Sequence, residues 1–247
     1  MTIGGVPMQF SLQVPSGVVR PRELLPVYRA VAERIIDRGV EEAAVEGRSV
    51  SCRKACGACC RQLVPLAPVE AVAIARLVEG LPGPRRDAVR ERFRQASARM
   101  AAEGLAARLP GGTRATSLEE VEEFGLAYFR LGIPCPFLED ESCSIYADRP
   151  IVCREYLVTS PPVECSRPSP EGVKKIRLAR SSWSALAASG ARPGACFVPW
   201  VPLVLSLEFS EANPDVDSPQ DAEVVVGAFL RLLGPGSPAG QRPGEQG

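Results

Sequence analysis

Residues 52–60 read CRKACGACC, and this short stretch holds four of the nine cysteines in the 247-residue chain. Thiols two or three residues apart can converge on one metal from a single loop. Gly57 gives that loop the backbone freedom to fold around a metal. The adjacent Cys59 and Cys60 form a disulfide only with strain, so two thiolates facing different metals, or one ligand beside a neighbouring thiol, explain them better. The stretch therefore predicts a loop organised by a metal.

A second cysteine region follows at residues 132–172 and is rich in proline and turn residues. Its thiols are widely spaced, so other elements of the fold have to bring them back to the first loop. The prolines limit the conformations that these loops can sample. Cys196 lies beyond both regions and is more simply a small buried apolar residue. The cysteines of the second region are Cys135, Cys143, Cys153 and Cys165.

The amino-acid composition excludes several kinds of catalysis, metal site and binding partner. The chain contains no histidine, which excludes histidine-based catalysis and every zinc site that needs imidazole. The ligands of a bound metal must then be thiolates, with carboxylates as helpers. Acidic and basic residues balance at 29 each, so there is no general electrostatic case for nucleic acid or for an acidic membrane surface.

The sequence also indicates in which cellular compartment the protein resides. Residues 1–19 have neither the basic region nor the continuous apolar run of a signal peptide. The longest apolar run, residues 197–209, is interrupted by two prolines and falls short of the roughly 20 residues that span a bilayer. We therefore expect a cytoplasmic protein without a membrane span, whose cysteines stay reduced and serve as metal ligands or redox centres.

The hydrophobic pattern predicts a mainly α fold, in which a helical scaffold holds irregular cysteine-rich loops with minor short β segments. Residues 8–14 alternate like a half-buried strand, and residues 198–209 read as an extended apolar segment. Apolar residues recur at helical spacing elsewhere. The sequence predicts helices at residues 22–46, 68–79, 85–109, 117–131, 173–189 and 218–233.

No repeat or second compositional block divides the chain. We expect one metal-binding domain over residues 1–233, with a cysteine-rich core at 52–165 and a C-terminal extension at 173–233. Residues 234–247 are rich in glycine and proline and are expected to form a disordered tail.

Three motifs together resemble one family. CGACC at 56–60, CPFL at 135–138 and CSIYADRPIVCREY at 143–156 are similar to the zinc- or iron-chelating proteins named for their CxxCxxCC motif (YkgJ type). That family in turn resembles the cysteine region of flagellin lysine N-methylases. The first pair departs from the pattern, because three residues instead of two separate Cys52 from Cys56. The resemblance implies that the chelating set is Cys52, Cys56, Cys59, Cys60, Cys135, Cys143, Cys153 and Cys165.

Three other side chains of these motifs are candidates for the surroundings of the metal. Arg149 and Arg154 either face the thiolates or an anionic substrate, or they form salt bridges that hold the loop. Tyr146 is a possible proton donor near the metal, and packing in the core is the simpler interpretation.

The sequence leaves the metal open between an iron–sulfur cluster, most simply [4Fe–4S], and zinc. Eight thiolates suit two four-thiolate zinc sites, but a structural zinc site does not explain the paired Cys59 and Cys60 well, which favours iron–sulfur. The expected function is chelation, with redox or methylation-like protein-modification chemistry. The expected partner is another protein, as substrate or binding partner.

Two alternatives remain. One is a non-enzymatic zinc module that holds loops together for partner binding. The other is a radical S-adenosylmethionine enzyme, because the spacing of Cys52, Cys56 and Cys59 also matches the cluster loop of that class. Against it, the chain lacks the alternating strand and helix pattern of a barrel, and Ala58 stands where that class usually has an aromatic residue.

Overall fold

The computed structural model describes residues 1–109, 118–169, 171–191 and 199–235, and the predicted mainly α architecture is confirmed. Within those ranges the strands are two residues long and form two-stranded antiparallel ladders, which link β1 to β2, β3 to β8, β4 to β7 and β5 to β6. The helices are α1 Leu25–Val45, α2 Pro68–Glu79, α3 Gly83–Ala102, α4 Leu118–Arg130, α5 Ile151–Glu155, α6 Pro162–Cys165, α7 Ser182–Ser189, α8 Ser206–Ala212 and α9 Ala222–Leu233. The strands are β1 Thr2–Ile3, β2 Val6–Pro7, β3 Val18–Val19, β4 Pro65–Leu66, β5 Leu138–Glu139, β6 Ser142–Cys143, β7 Val201–Pro202 and β8 Gln220–Asp221.

The longest helix, α1, follows the predicted pattern. Pro26 lies in its first turn, where the missing N–H costs no hydrogen bond. Its predicted apolar stripe is buried, with Val31 and Ile35 no more than 1 % exposed. The helix packs against α5 and α7, and Tyr28 contacts Phe229 of α9 with ring centroids 4.7 Å apart.

Two further apolar clusters complete the core. One joins α2, α3 and the β5–β6 hairpin, where the rings of Phe93 and Phe137 meet edge to face at 5.5 Å. The other joins α3 and α4, where Phe124 contacts Trp200. Among the described helices, none combines the length and the apolar composition that a membrane crossing requires.

The structure corrects two predicted β segments. Residues 8–14 keep the predicted alternation, since Met8, Phe10, Leu12 and Val14 pack on the core, but none of them belongs to a described strand. Residues 198–209, where they are described, are extended only around β7, because a 3-10 turn follows it and α8 begins at Ser206.

Three helix predictions also change. The helix predicted at 173–189 is confined to α7, because the preceding residues run extended and Lys175 bridges to Val158. The last helix begins later than predicted, with Asp221 and not Ser218 as its N-cap. Residues 132–172 contain two short helices, α5 and α6, beyond the single helical turn expected near Tyr146. Ser117, Cys196 and most of the predicted tail lie outside the described residues.

Candidate metal centre

Three separate segments bring cysteines together around one cavity of about 70 Å³. The first loop supplies most of them, α5 supplies one and α6 supplies another. Despite its wider spacing, Cys52 is among them. The cysteines that line the cavity are Cys52, Cys56, Cys59, Cys153 and Cys165.

Backbone hydrogen bonds fix the first loop against its surroundings. The N–H of Cys60 donates to the Gly57 carbonyl at 2.9 Å, which closes a tight turn, and the N–H of Cys135 donates to the Cys60 carbonyl at 2.7 Å. From the other side, the N–H of Val158 donates to Sγ of Cys52 at 3.4 Å. The loop is therefore tied both to the second cysteine region and to the segment after α5.

Gly57 is required by a close approach of two backbones. A Cβ at this position would lie 2.6 Å from the carbonyl oxygen of Glu141, which real Cβ atoms essentially never do. Arg61 also holds this approach, because its guanidinium donates to both carboxylate oxygens of Glu141, at 3.0 and 2.6 Å. The first loop thus rests against the tip of the β5–β6 hairpin.

The three remaining predicted ligands lie beside the cavity and outside its lining. Cys135 and Cys143 pack against the apolar cluster that contains Phe137 and Ile145. Cys60 contacts Cys59, and this contact is the largest cause that raises the pKa of Cys59, followed by burial. The charge of Cys59 also raises the pKa of Cys135, Cys143 and Cys153, so these thiols are close enough to sense one another.

The position of Cys153 depends on the fully buried carboxylate of Glu70, a residue that sequence reasoning missed. One oxygen accepts the N–H of Ile151, the first residue of α5, at 2.7 Å. The other accepts the N–H of Ala67, before α2, at 3.1 Å. A single carboxylate therefore caps two helices and holds the cysteine-bearing α5 against α2. The spacing from Ala67 to Glu70 signals only the local cap.

Glu155, at the other end of α5, fixes α7 in the same way. Its carboxylate accepts the hydroxyl of Ser181 at 2.8 Å and the N–H of Ser182 at 2.5 Å, both at the start of α7. The five-residue α5 is thus anchored at one end by Glu70 and at the other by its own Glu155.

Arg149 and Arg154 have different surroundings. The guanidinium carbon of Arg149 lies 3.8 Å from the centre of the Tyr146 ring, and both side chains line the cavity. The charge of Arg149 opposes the increase in the pKa of Cys52 and of Cys143 that burial causes. Arg154 donates to the carbonyls of Arg149 and Ala147 and pairs with Glu33, so its contacts hold the loop.

Two more residues of the site were missed from the sequence. Tyr156 lines the cavity, and burial raises its pKa to about 12. Gln62 donates its amide to the Cys165 carbonyl at 2.9 Å and thereby ties α6 to the first loop. Tyr156 stands directly after α5 in the CREY motif, which is the only sequence signal that points to it.

Burial favours the protonated form of three of the cysteines. It raises the pKa of Cys135 to about 12 and that of Cys165 to about 11, and it raises the pKa of Cys153 well above the ordinary value of 9.0. Because a metal binds thiolates, binding here must release protons to solvent.

A model of the CxxCxxCC family, described as "Putative zinc- or iron-chelating domain", matches residues 51–177, more than half of the chain. The chain belongs to the CxxCxxCC family. The matched range includes all eight cysteines that the sequence predicts as ligands, and it excludes Cys196. A search of curated proteins and a search of solved structures found no match to the chain.

The donor set fits the chelation that the CxxCxxCC family description states. Zinc and iron both accept sites made of thiolates alone, and the cavity presents five thiols. Within the described residues, no group of three or more Cys, Asp or Glu side chains is already arranged to hold a metal ion. Binding of a metal by these thiols would require them to turn toward a common centre and to lose their protons.

Proposed function

We propose that the cavity of this CxxCxxCC-family protein holds an iron–sulfur cluster and that four of its five lining cysteines are the ligands. The observation that carries the proposal is the cavity of about 70 Å³ between those thiols. A single water needs only about 10–15 Å³ on the same measure, so the space suits a group of several atoms. The inorganic sulfides of a cluster would fill it.

A structural zinc site accounts for this space less well. Four thiolates close around zinc at about 2.3 Å and leave no room between them. A [4Fe–4S] cluster also takes four thiolates, but its own atoms separate the sulfurs of the protein. Five lining cysteines then leave one thiol beside the cluster, and Cys60 lies next to Cys59.

The charges around the cavity support an anionic centre. A [4Fe–4S] cluster with four thiolates carries net negative charge, and Arg149 and Arg53 both line the cavity. Arg149 is stacked on Tyr146, and its positive charge opposes the rise that burial causes in the pKa of Cys52 and of Cys143. The hydrogen bond from Val158 to the Cys52 sulfur is of the kind that tunes such clusters.

Redox or methylation-like chemistry at the centre, and a protein as partner, rest on the family resemblance and stay predictions. The zinc module and the radical S-adenosylmethionine enzyme are the competing hypotheses for the same site. The identity of the bound metal distinguishes the cluster from the zinc module. Cleavage of S-adenosylmethionine by the reduced, loaded protein would identify the radical enzyme.

The experiment is metal and acid-labile sulfide analysis, with a visible absorption spectrum, on full-length protein purified without oxygen. We expect iron, sulfide and a broad absorption near the blue edge of the visible range. Cys153→Ser should lower the iron and sulfide content, whereas the matched variant Cys196→Ser should retain both. Colourless protein with stoichiometric zinc would overturn the iron–sulfur proposal and leave chelation of zinc in its place.

A further inference from the structure

The loop at residues 146–150 borders a second cavity as well as the thiol cavity. Tyr146 and Arg149 line the thiol cavity, whereas Asp148 and Pro150 line the second one, together with residues of α1 and α2. The second cavity is larger, at about 240 Å³. That is below the roughly 300–1,000 Å³ typical of sites for drug-sized ligands, so an occupant must be small.

The lining of the second cavity has an apolar and a charged part. Leu25 of α1 and Ile74 and Leu77 of α2 form the apolar wall. Arg22, Arg29, Glu70 and Asp148 supply the charges. A few polar groups beside an apolar wall are the usual composition of a small-molecule site.

Most of these charged groups are already committed to the fold. Both oxygens of Glu70 accept backbone N–H groups. Arg22 is paired with the carboxylate of Asp217, a side chain that is only 6 % exposed. Neither group can serve a ligand without breaking a buried contact.

Arg29 and Asp148 are the exception. Their side chains meet at a long 3.4 Å, and the shorter contact of Arg29, at 3.1 Å, goes to the Asp148 carbonyl. Asp148 is half exposed, whereas the side chain of Arg29 is four-fifths buried and its Nε has no hydrogen-bond partner among the described residues. The pair is loose and half exposed on the Asp148 side, so a ligand can separate the two side chains without breaking a buried ion pair.

We propose that the second cavity binds a free α-amino acid with an apolar side chain, such as leucine. The carboxylate of the ligand would pair with Arg29, its ammonium group with Asp148, and its side chain would pack on the wall of Leu25, Ile74 and Leu77. A zwitterion is favoured because each arginine of the cavity already has a carboxylate partner. A ligand with one charge would satisfy only one member of the Arg29–Asp148 pair.

The experiment is isothermal titration calorimetry of L-leucine into the full-length protein. Two analogues with the same branched end but a single charge, 4-methylpentanoate and 3-methylbutylamine, are titrated alongside. We expect saturable binding of leucine, with each analogue at least about tenfold weaker because it leaves one charged group without its partner. No saturable binding of leucine, or equal binding of either analogue, would overturn the proposal.

Variants locate the site. Arg29→Met removes the cationic anchor and Ala73→Phe fills the cavity, so both should abolish binding of leucine. Arg34→Met is the matched control, because Arg34 lies on the same helix, is mostly exposed and pairs with Asp37 across one turn. Circular dichroism checks that each variant is folded. If Arg29→Met does not fold, Ala73→Phe still tests the site. Binding that persists in both cavity variants would place the ligand elsewhere and refute the assignment.

Discussion

Arg149 and Arg154 are five residues apart, and the sequence leaves open whether each faces the thiolates or holds the loop. The contacts of their guanidinium groups assign the first role to Arg149 and the second to Arg154. We expect Arg149→Met to weaken metal binding by about tenfold, because a cation facing the thiolates contributes on the order of 1–2 kcal/mol at intermediate dielectric. The stability of the metal-free protein should change by less than about 1 kcal/mol. Competition with a chelator and chemical denaturation measure the two quantities.

Arg154→Met is the matched comparison. It removes contacts to two backbone carbonyls and to Glu33, so the metal-free protein should lose about 1–3 kcal/mol of unfolding free energy. If both variants had the same effect on stability and on metal affinity, the division of roles between the two arginines would be wrong.

Tyr28 is a buried residue whose hydroxyl has no hydrogen-bond partner in the part of the chain that the structure describes. Burial raises its pKa from 10.0 to about 12, so the folded state holds the proton more tightly than the unfolded state. The part of the unfolding free energy that depends on a protonated Tyr28 hydroxyl is fully present below pH 10 and is lost as the pH rises toward 12.

We therefore expect Tyr28→Phe to raise the unfolding free energy at neutral pH by about 1 kcal/mol, because an unpaired hydroxyl leaves the core. Between pH 10 and 12 the variant should lose less stability than the original chain. Urea denaturation at several pH values measures both effects. A variant that is less stable at neutral pH would show that the hydroxyl has a partner in solution.

At the scale of elements, Glu70 joins α2 to α5. Glu70→Gln leaves one acceptor oxygen for two N–H groups, so it should lower the unfolding free energy by about 1–3 kcal/mol. It should also reduce metal loading, because α5 carries Cys153. Glu79→Gln is the control, since Glu79 lies at the exposed end of the same helix and pairs with Arg76. Equal melting and metal content in the two variants would contradict the role of Glu70.

The elements also show what the sequence could predict. The bounds of α2 are as predicted, because Pro68 starts the helix and Val72, Ala75 and Val78 form a stripe that packs against α8. The five-residue α5 was missed, since it is too short for a periodic signal and owes its place to carboxylates on distant elements. The helix expected from residue 173 was wrong for its first part, because pairing with Val158 overrides the apolar spacing.

The residues of the candidate site also fall into those that the sequence predicts and those that it does not. Residue type and spacing are enough to identify the cysteines as candidate ligands, and five of the eight predicted ligands line one cavity. Glu70 and Gln62 carry no such signal, because their functional partners, Ile151 and Cys165, are far away in the chain. Contacts of that kind follow from the tertiary fold alone.

For the whole molecule, metal binding and folding should be coupled. The thiols come from loops and short helices that lie between three apolar clusters, and a metal would cross-link them. At a free metal concentration about 1,000 times the dissociation constant, the loaded protein should be more stable by about 4 kcal/mol. Denaturation of loaded and metal-free protein checks this. Equal midpoints would mean that metal is bound without stabilising the fold.

The contact between Cys52 and Val158 joins residues 106 positions apart, and it has a consequence for synthesis. At translation rates of about 5–20 residues per second, the first four cysteines leave the ribosome roughly 5–20 s before the segment that completes their surroundings. During that interval they are unshielded thiols in a nascent chain, open to oxidants and to whichever thiophilic ion is most available. The identity of the metal in the finished protein should therefore depend on when it is supplied as well as on which site binds it more tightly.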